Sequence, residues 1–185
     1  MMDKIYNVLK EMSKDNFQKL YDRGFEAEKI YFNCGQCVLV PFVEYLGFDE
    51  VLFKAGSGMA AGIGQMGDAC GAYTGGALLL GVLFGRSYRD LEGDIETGKA
   101  KFRNACRLVR EFREKFVNEY KGINCREVQT TIFGRSYNLL DMDKDFPAFE
   151  AAGGHTTKCT DVIGKTTRMI AEVMLKELEK QHNAN

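Results

Sequence analysis

The sequence predicts an all-α fold, a compact helical bundle, on three observations. Apolar residues recur at helical spacing along most of the chain, β signals are nearly absent, and proline occurs only at Pro41 and Pro147. With 185 residues, 45% hydrophobic and 11% aromatic, the chain can bury a full core, and one domain over 1–185 is the expected organisation.

The elements follow in order. Ile5, Val8, Leu9 and Met12 form a short stripe, and Phe17, Leu20, Tyr21, Ala27 and Ile30 form a second one, interrupted at Gly24. Both read as surface helices with one buried face. Asn33 is a good N-cap, which puts Cys34 and Cys37 in the first turn of the next helix, three apart on one face, with Pro41 ending that turn. Between Gly56 and Gly85 the composition shifts, because 10 of the chain's 20 glycines fall there and Asp68 is the only charge. Asp68 is expected to cap a helix with Cys70 two residues inside it. The small residues Gly71, Gly75, Ala77, Gly81 and Gly85 let that helix pack closely, and it is expected to be the buried central element.

Two special readings of this stretch fail. Ala69 to Gly85 is shorter than the roughly 20 apolar residues of a membrane span. Gly62-Ile63-Gly64-Gln65-Met66-Gly67 matches the dinucleotide pattern GxGxxG, yet no β-branched strand precedes it and no βαβ unit surrounds it.

Leu91, Ile95, Gly98, Phe102, Ala105, Val109, Phe112 and Phe116 alternate by four and three, a heptad-like seam on one long helix. Its expected partner is the Gly-rich helix or its copy in a second subunit. Asn124 directly precedes Cys125, and Thr156 or Thr157 is placed to cap a segment containing Cys159. Ile163, Ile170, Met174 and Leu178 mark a final amphipathic helix before a polar tail, Gln181 to Asn185.

Charge and compartment narrow the function. A net charge of -1 with interleaved signs gives no case for nucleic acid or an anionic membrane as partner. The N-terminus lacks the uninterrupted apolar stretch of a secretory signal, so a cytoplasmic location is expected. In that reducing setting six cysteines serve metal binding or redox turnover more readily than three structural disulfides. No Ser/His/Asp or paired-carboxylate arrangement supports hydrolysis.

At least four cysteines stand at or near predicted helix N-termini. There the unpaired N–H groups and the helix dipole favour a thiolate and are expected to bring a thiol pKa from about 8.5 toward 7. Cys106, inside the long charged helix beside the seam, has no cap near it and reads as a packing residue.

Cys70-Gly71-Ala72-Tyr73-Thr74-Gly75 matches the CGAxxG signature of the C_GCAxxG_C_C family of redox-active proteins, and Asn33-Cys34-Gly35-Gln36 resembles that family's upstream Asn-Cys segment. The resemblance covers about residues 20 to 180. It implies that Cys34, Cys70, Cys125 and Cys159 are the family's four characteristic cysteines, with Cys37 and Cys106 additional. A related domain occurs in split-Soret cytochromes, where an iron–sulfur centre accompanies the haems. Covalent haem is not carried over, because Cys34-Gly35-Gln36-Cys37 is followed by Val38 and not by the histidine of C-x-x-C-H.

Three functions are then in competition. In the first, Cys34, Cys70, Cys125 and Cys159 ligate an iron–sulfur cluster or another thiophilic metal, drawn together by the fold since 32 residues separate Cys37 from Cys70 and 33 separate Cys125 from Cys159. In the second, Cys34 and Cys37 form a catalytic dithiol with Cys70 as relay, exchanging electrons with a redox partner protein or a small thiol. In the third, the chain is a dimeric binding module with structural cysteines. His155 reads as a turn residue after Gly153-Gly154. Asp68, Gln36, Tyr73 and Thr74 are close enough in sequence to tune the thiols.

Overall fold

Two glycines decide how the most extensively paired helices meet. In the computed structural model, which describes residues 2–183, α2 (Gln18–Tyr31) runs along α10 (Cys159–Asn183). Gly24 of α2 faces Thr167 and Ile163, and Gly164 of α10 faces the ring of Tyr21. The two backbones approach closely as a result, and the Tyr21 hydroxyl donates to Asp161 at 2.6 Å. Gly24 therefore does not interrupt the second stripe as the sequence suggests. A helical glycine costs only about 1 kcal/mol, less than the packing it allows here. Ile30, the last member of that stripe, is 54% exposed and lies outside the core.

The first helix, α1 (Met2–Met12), buries Ile5 and Leu9 of its stripe together with Tyr6, while Val8 and Met12 are half-buried. Helix α3 (Cys34–Cys37) is a single turn. The Asn33 side chain caps it by accepting from the Gln36 N–H at 3.2 Å. Pro41 then stands in the first turn of α4 (Val40–Leu46), where its missing N–H costs nothing, and α5 (Glu50–Ala55) follows under an Asp49 cap.

The Gly-rich α6 (Gly71–Phe84) occupies the centre. Gly75 lies against Val38 and the Gly35 carbonyl, and Gly76 against Phe112 and Ile170. Toward the helix C-terminus Phe84 stays buried, but Gly81 and Val82 on the other side are exposed. Asp68 does not cap α6. Cys70 itself is the N-cap residue, and the Asp68 carbonyl accepts from the Cys125 N–H.

The long α7 (Ile95–Tyr120) starts on an Asp94 cap and buries Leu108, Phe112, Phe116 and Tyr120. Leu108 and Tyr120 lie off the seam and Phe112 and Phe116 on it, so the core contact departs from the strict heptad spacing. Of the seam, Gly98, Phe112 and Phe116 are buried, while Leu91, Ile95 and Phe102 face solvent. Helices α8 (Cys125–Phe133) and α9 (Asp145–Ala151) complete the bundle, and a π turn at Gly154–Lys158 leads into α10. Neither threonine caps α10, since the Thr157 hydroxyl donates back to the Gly153 carbonyl at 3.3 Å. Ile163, Ile170, Met174 and Leu178 are buried as expected, but α10 continues to Asn183, so Gln181 to Asn183 are helix and not tail. Ala184 and Asn185 lie outside the described residues.

Among the described residues the chain is all-α, with β pairing limited to one antiparallel bridge between Ala69 and Asn124. No helix among them is long and apolar enough to cross a membrane.

Candidate functional site

The bridge between Ala69 and Asn124 puts two cysteines side by side. The Cys70 N–H donates to the Ile123 carbonyl at 2.8 Å, and the Cys125 N–H donates to the Asp68 carbonyl at 2.6 Å. Cys34 reaches the same place from α3. Its sulfur lies so close to the Gly71 backbone that any Cβ there would collide with it, and it accepts a hydrogen bond from the Ala61 N–H at 3.3 Å. That N–H is aimed by a loop in which Ala61, Gly62, Ile63, Gly64, Gln65 and Gly67 all adopt positive φ, so the GxGxxG pattern builds a left-handed coil that faces a sulfur. Cys159 is the first residue of α10. Cys34, Cys70, Cys125 and Cys159 together line one enclosed cavity of about 40 Å³, with Glu28, His155, Gln129 and a set of apolar side chains completing the wall.

The chamber does not favour thiolates by itself, contrary to the expectation from the helix ends. Burial is the main cause, and it pushes Cys34 and Cys159 well above the usual thiol range, Cys70 up to about 12, and Cys125 in the same direction. Glu28 adds to this at all four sulfurs, Cys125 adds to it at Cys34, Cys70 and Cys159, and Cys70 at Cys34 and Cys159. Local donors oppose it: the Ala61 N–H at Cys34, the N–H groups of Ala72 and Tyr73 at Cys70, and the Gln129 amide, 3.4 Å from the Cys125 sulfur. Helix-end stabilisation of a charge is typically 0.3–1 kcal/mol, whereas full burial shifts a pKa by several units, so burial prevails.

The remaining cysteines stand apart. Cys37 is 1% exposed but does not line the cavity. Its thiol is turned toward Glu28, and burial, with that carboxyl beside it, pushes its pKa up. Cys106 is half-buried on α7 and does not line the cavity either. The four polar residues near the cysteines in sequence do other work. The Gln36 amide donates to Ser57 Oγ at 2.9 Å, Tyr73 stacks on Phe112, and the Thr74 hydroxyl donates to the Cys70 carbonyl. Asp68 contributes its backbone.

Two chamber residues were not expected. Glu28 is 2% exposed, its Oε2 has no hydrogen-bond partner, and burial raises its pKa to about 7, with Cys37 pulling it down and Glu150 pushing it further up. His155 is not a solvated turn residue. Its side chain is 11% exposed, its ring packs on Phe32 and Phe149, Nε2 is 3.8 Å from Glu28 Oε1, and Nδ1 bonds Glu150. One signal for Glu28 is present in the sequence, since Leu20, Gly24 and Glu28 recur by fours and a carboxyl on a buried register is out of place.

The family model described as Putative redox-active protein (C_GCAxxG_C_C) matches residues 32–173. The chain belongs to this family. The matched span contains all four chamber cysteines and His155, while Glu28 lies before it. Family membership gives the chain a redox role, and the chamber is where Cys34, Cys70, Cys125 and Cys159 meet. Neither the curated proteins nor the solved structures give a match to the chain.

Proposed function

We propose that this protein is an electron carrier whose four chamber cysteines hold an iron–sulfur cluster. The observation that supports this best is that four thiols from separate elements line one small enclosed cavity. Cysteine thiolates in a set of four are the usual ligands of such clusters. Among the described residues, no three of the His, Cys, Asp and Glu side chains are grouped so as to hold a single metal ion. The four thiols are spread around the cavity wall.

The thiol energetics point the same way. Thiols whose pKa is raised by desolvation, and at Cys34, Cys70 and Cys159 also by neighbouring thiols, are poor nucleophiles without a cation, and they lose their protons when a metal replaces those protons. When bound, such a cluster takes up and releases single electrons. The chain's own residues set the conditions for that chemistry. The Ala61 N–H and the Gln129 amide donate to sulfur, which stabilises negative charge there, and the buried Phe149 makes part of the wall apolar. The wall toward solvent is thin, because Ala61, Gln129 and Leu139 line both the chamber and an adjoining surface pocket of about 470 Å³.

The test is an anaerobic preparation, as purified and after reconstitution with ferrous iron and sulfide, assayed for iron, acid-labile sulfide and absorbance between about 300 and 600 nm. Stoichiometric iron and sulfide with a broad absorption that bleaches on reduction is the expected result. A colourless protein that loses two titratable thiols on mild oxidation would replace the cluster with a metal-free dithiol couple.

A further inference from the structure

The first turns of α7 extend past α6, and the turn carrying Asp90 packs on them at Gly98. α7 has 26 residues and α6 has 14, so at 1.5 Å per residue they are roughly 39 and 21 Å long. Phe112 in the second half of α7 already packs against Gly76 in the first half of α6. Leu91, Ile95 and Phe102, at the opposite end, are 51%, 60% and 49% exposed. Ile95 and Phe102 are seven residues apart on one face and retain the heptad spacing that the buried half of the helix gives up.

Charge along this arm is segregated. From Asp90 onward, Asp90, Glu92, Asp94 and Glu96 precede Lys99, Lys101, Arg103 and Arg107; Arg86 and Arg89 come before this run, and the Arg86 guanidinium lies over the Phe102 ring at 5.1 Å. Lys101 bonds Asp90 at 2.7 Å and Lys99 bonds Glu96 at 2.8 Å within the chain, while Glu92 and Arg103 make no ion pair among the described residues.

We propose that this arm is a contact between two copies of the chain, packed antiparallel about a two-fold axis with Ile95 and Phe102 of each copy at its centre. A two-fold contact buries the same patch on both partners. It sets the acidic start of one arm against the basic continuation of the other. Parallel pairing would oppose like charges, and a partner of uniform charge would match only half of the arm. The contact stands independently of the cysteine chamber, which lies at the other end of α6.

Sedimentation equilibrium of the full chain, in reductant to exclude mixed disulfides and at low salt, tests the proposal. The wild-type chain is expected to dimerise in the micromolar range. The Ile95→Glu, Phe102→Glu variant is expected to weaken association at least tenfold with unchanged far-ultraviolet circular dichroism, since both side chains are exposed. Two charge variants give an independent check: Glu92→Lys with Glu96→Lys, and Lys99→Glu with Arg103→Glu, are each expected to be monomeric alone and to form a heterodimer when mixed. A wild-type monomer at all concentrations, a dimer indifferent to Ile95→Glu and Phe102→Glu, or the absence of a heterodimer on mixing would overturn it.

Discussion

Gly71→Ala is expected to destabilise the protein by about 3 kcal/mol or more and to abolish metal uptake. The added Cβ would collide with the Cys34 sulfur and would stand 2.7 Å from the Gly35 nitrogen and 2.8 Å from the Met59 carbonyl oxygen. Two of these three neighbours are backbone atoms and the third is a proposed ligand, so no flexible side chain can swing aside. Alanine's better helix propensity returns at most about 1 kcal/mol, which the clash exceeds. Gly81→Ala on the same helix is the control. Nothing lies within 4 Å of a Cβ at that position, so the substitution is expected to stabilise by about 0.5–1 kcal/mol. Urea unfolding of both variants, with iron content after reconstitution, checks the pair. Equal effects at the two positions would mean that the close approach of α3 to α6 does not hold the chamber together.

In the cluster-free protein, stability is expected to fall as pH rises from about 4.5 to 7. The carboxyl of Glu28 carries the effect, because its pKa moves from 4.5 to about 7 on folding, chiefly through burial. Between those values the folded state holds a proton that the unfolded state has released, so raising the pH favours unfolding. At 1.36 kcal/mol per unit the full loss is about 3 kcal/mol, complete above pH 7. Glu28→Gln removes the titration and keeps the shape. It is expected to flatten the profile across this window and to be the more stable protein at pH 8, while matching the wild type below pH 4.5. Urea midpoints at a series of pH values measure this directly. A Gln variant that is less stable than wild type at pH 8 would instead show that the carboxylate is held by an ion pair with His155.

These two positions also show which parts of the molecule could be read from its sequence. The cap at Asn33 and the apolar stripes of α1 and α10 depend on neighbouring residues, and the structure forms them as the local pattern requires. The four chamber cysteines were identifiable by their flanking residues, above all Cys70-Gly71-Ala72, although nothing local places their sulfurs around one cavity. Thiol energetics were read in the wrong direction because a helix end is visible in sequence and burial is not. Gly24 reads as an interruption until Thr167 and Ile163 are seen against it. Glu28 and His155 become neighbours only when α2 and the π turn before α10 meet. Contacts across long separations are made by the fold, and one sequence carries little trace of them.

The central claim, that Cys34, Cys70, Cys125 and Cys159 form one ligand set, is tested most directly by replacing each of the six cysteines with serine in turn and measuring iron and acid-labile sulfide after anaerobic reconstitution. The account predicts loss of both in each of the four chamber variants with the helical spectrum retained, and near wild-type content in Cys37→Ser and Cys106→Ser, whose side chains do not line the cavity. Retention of the full iron and sulfide content in any chamber variant, or its loss in Cys106→Ser, would contradict it.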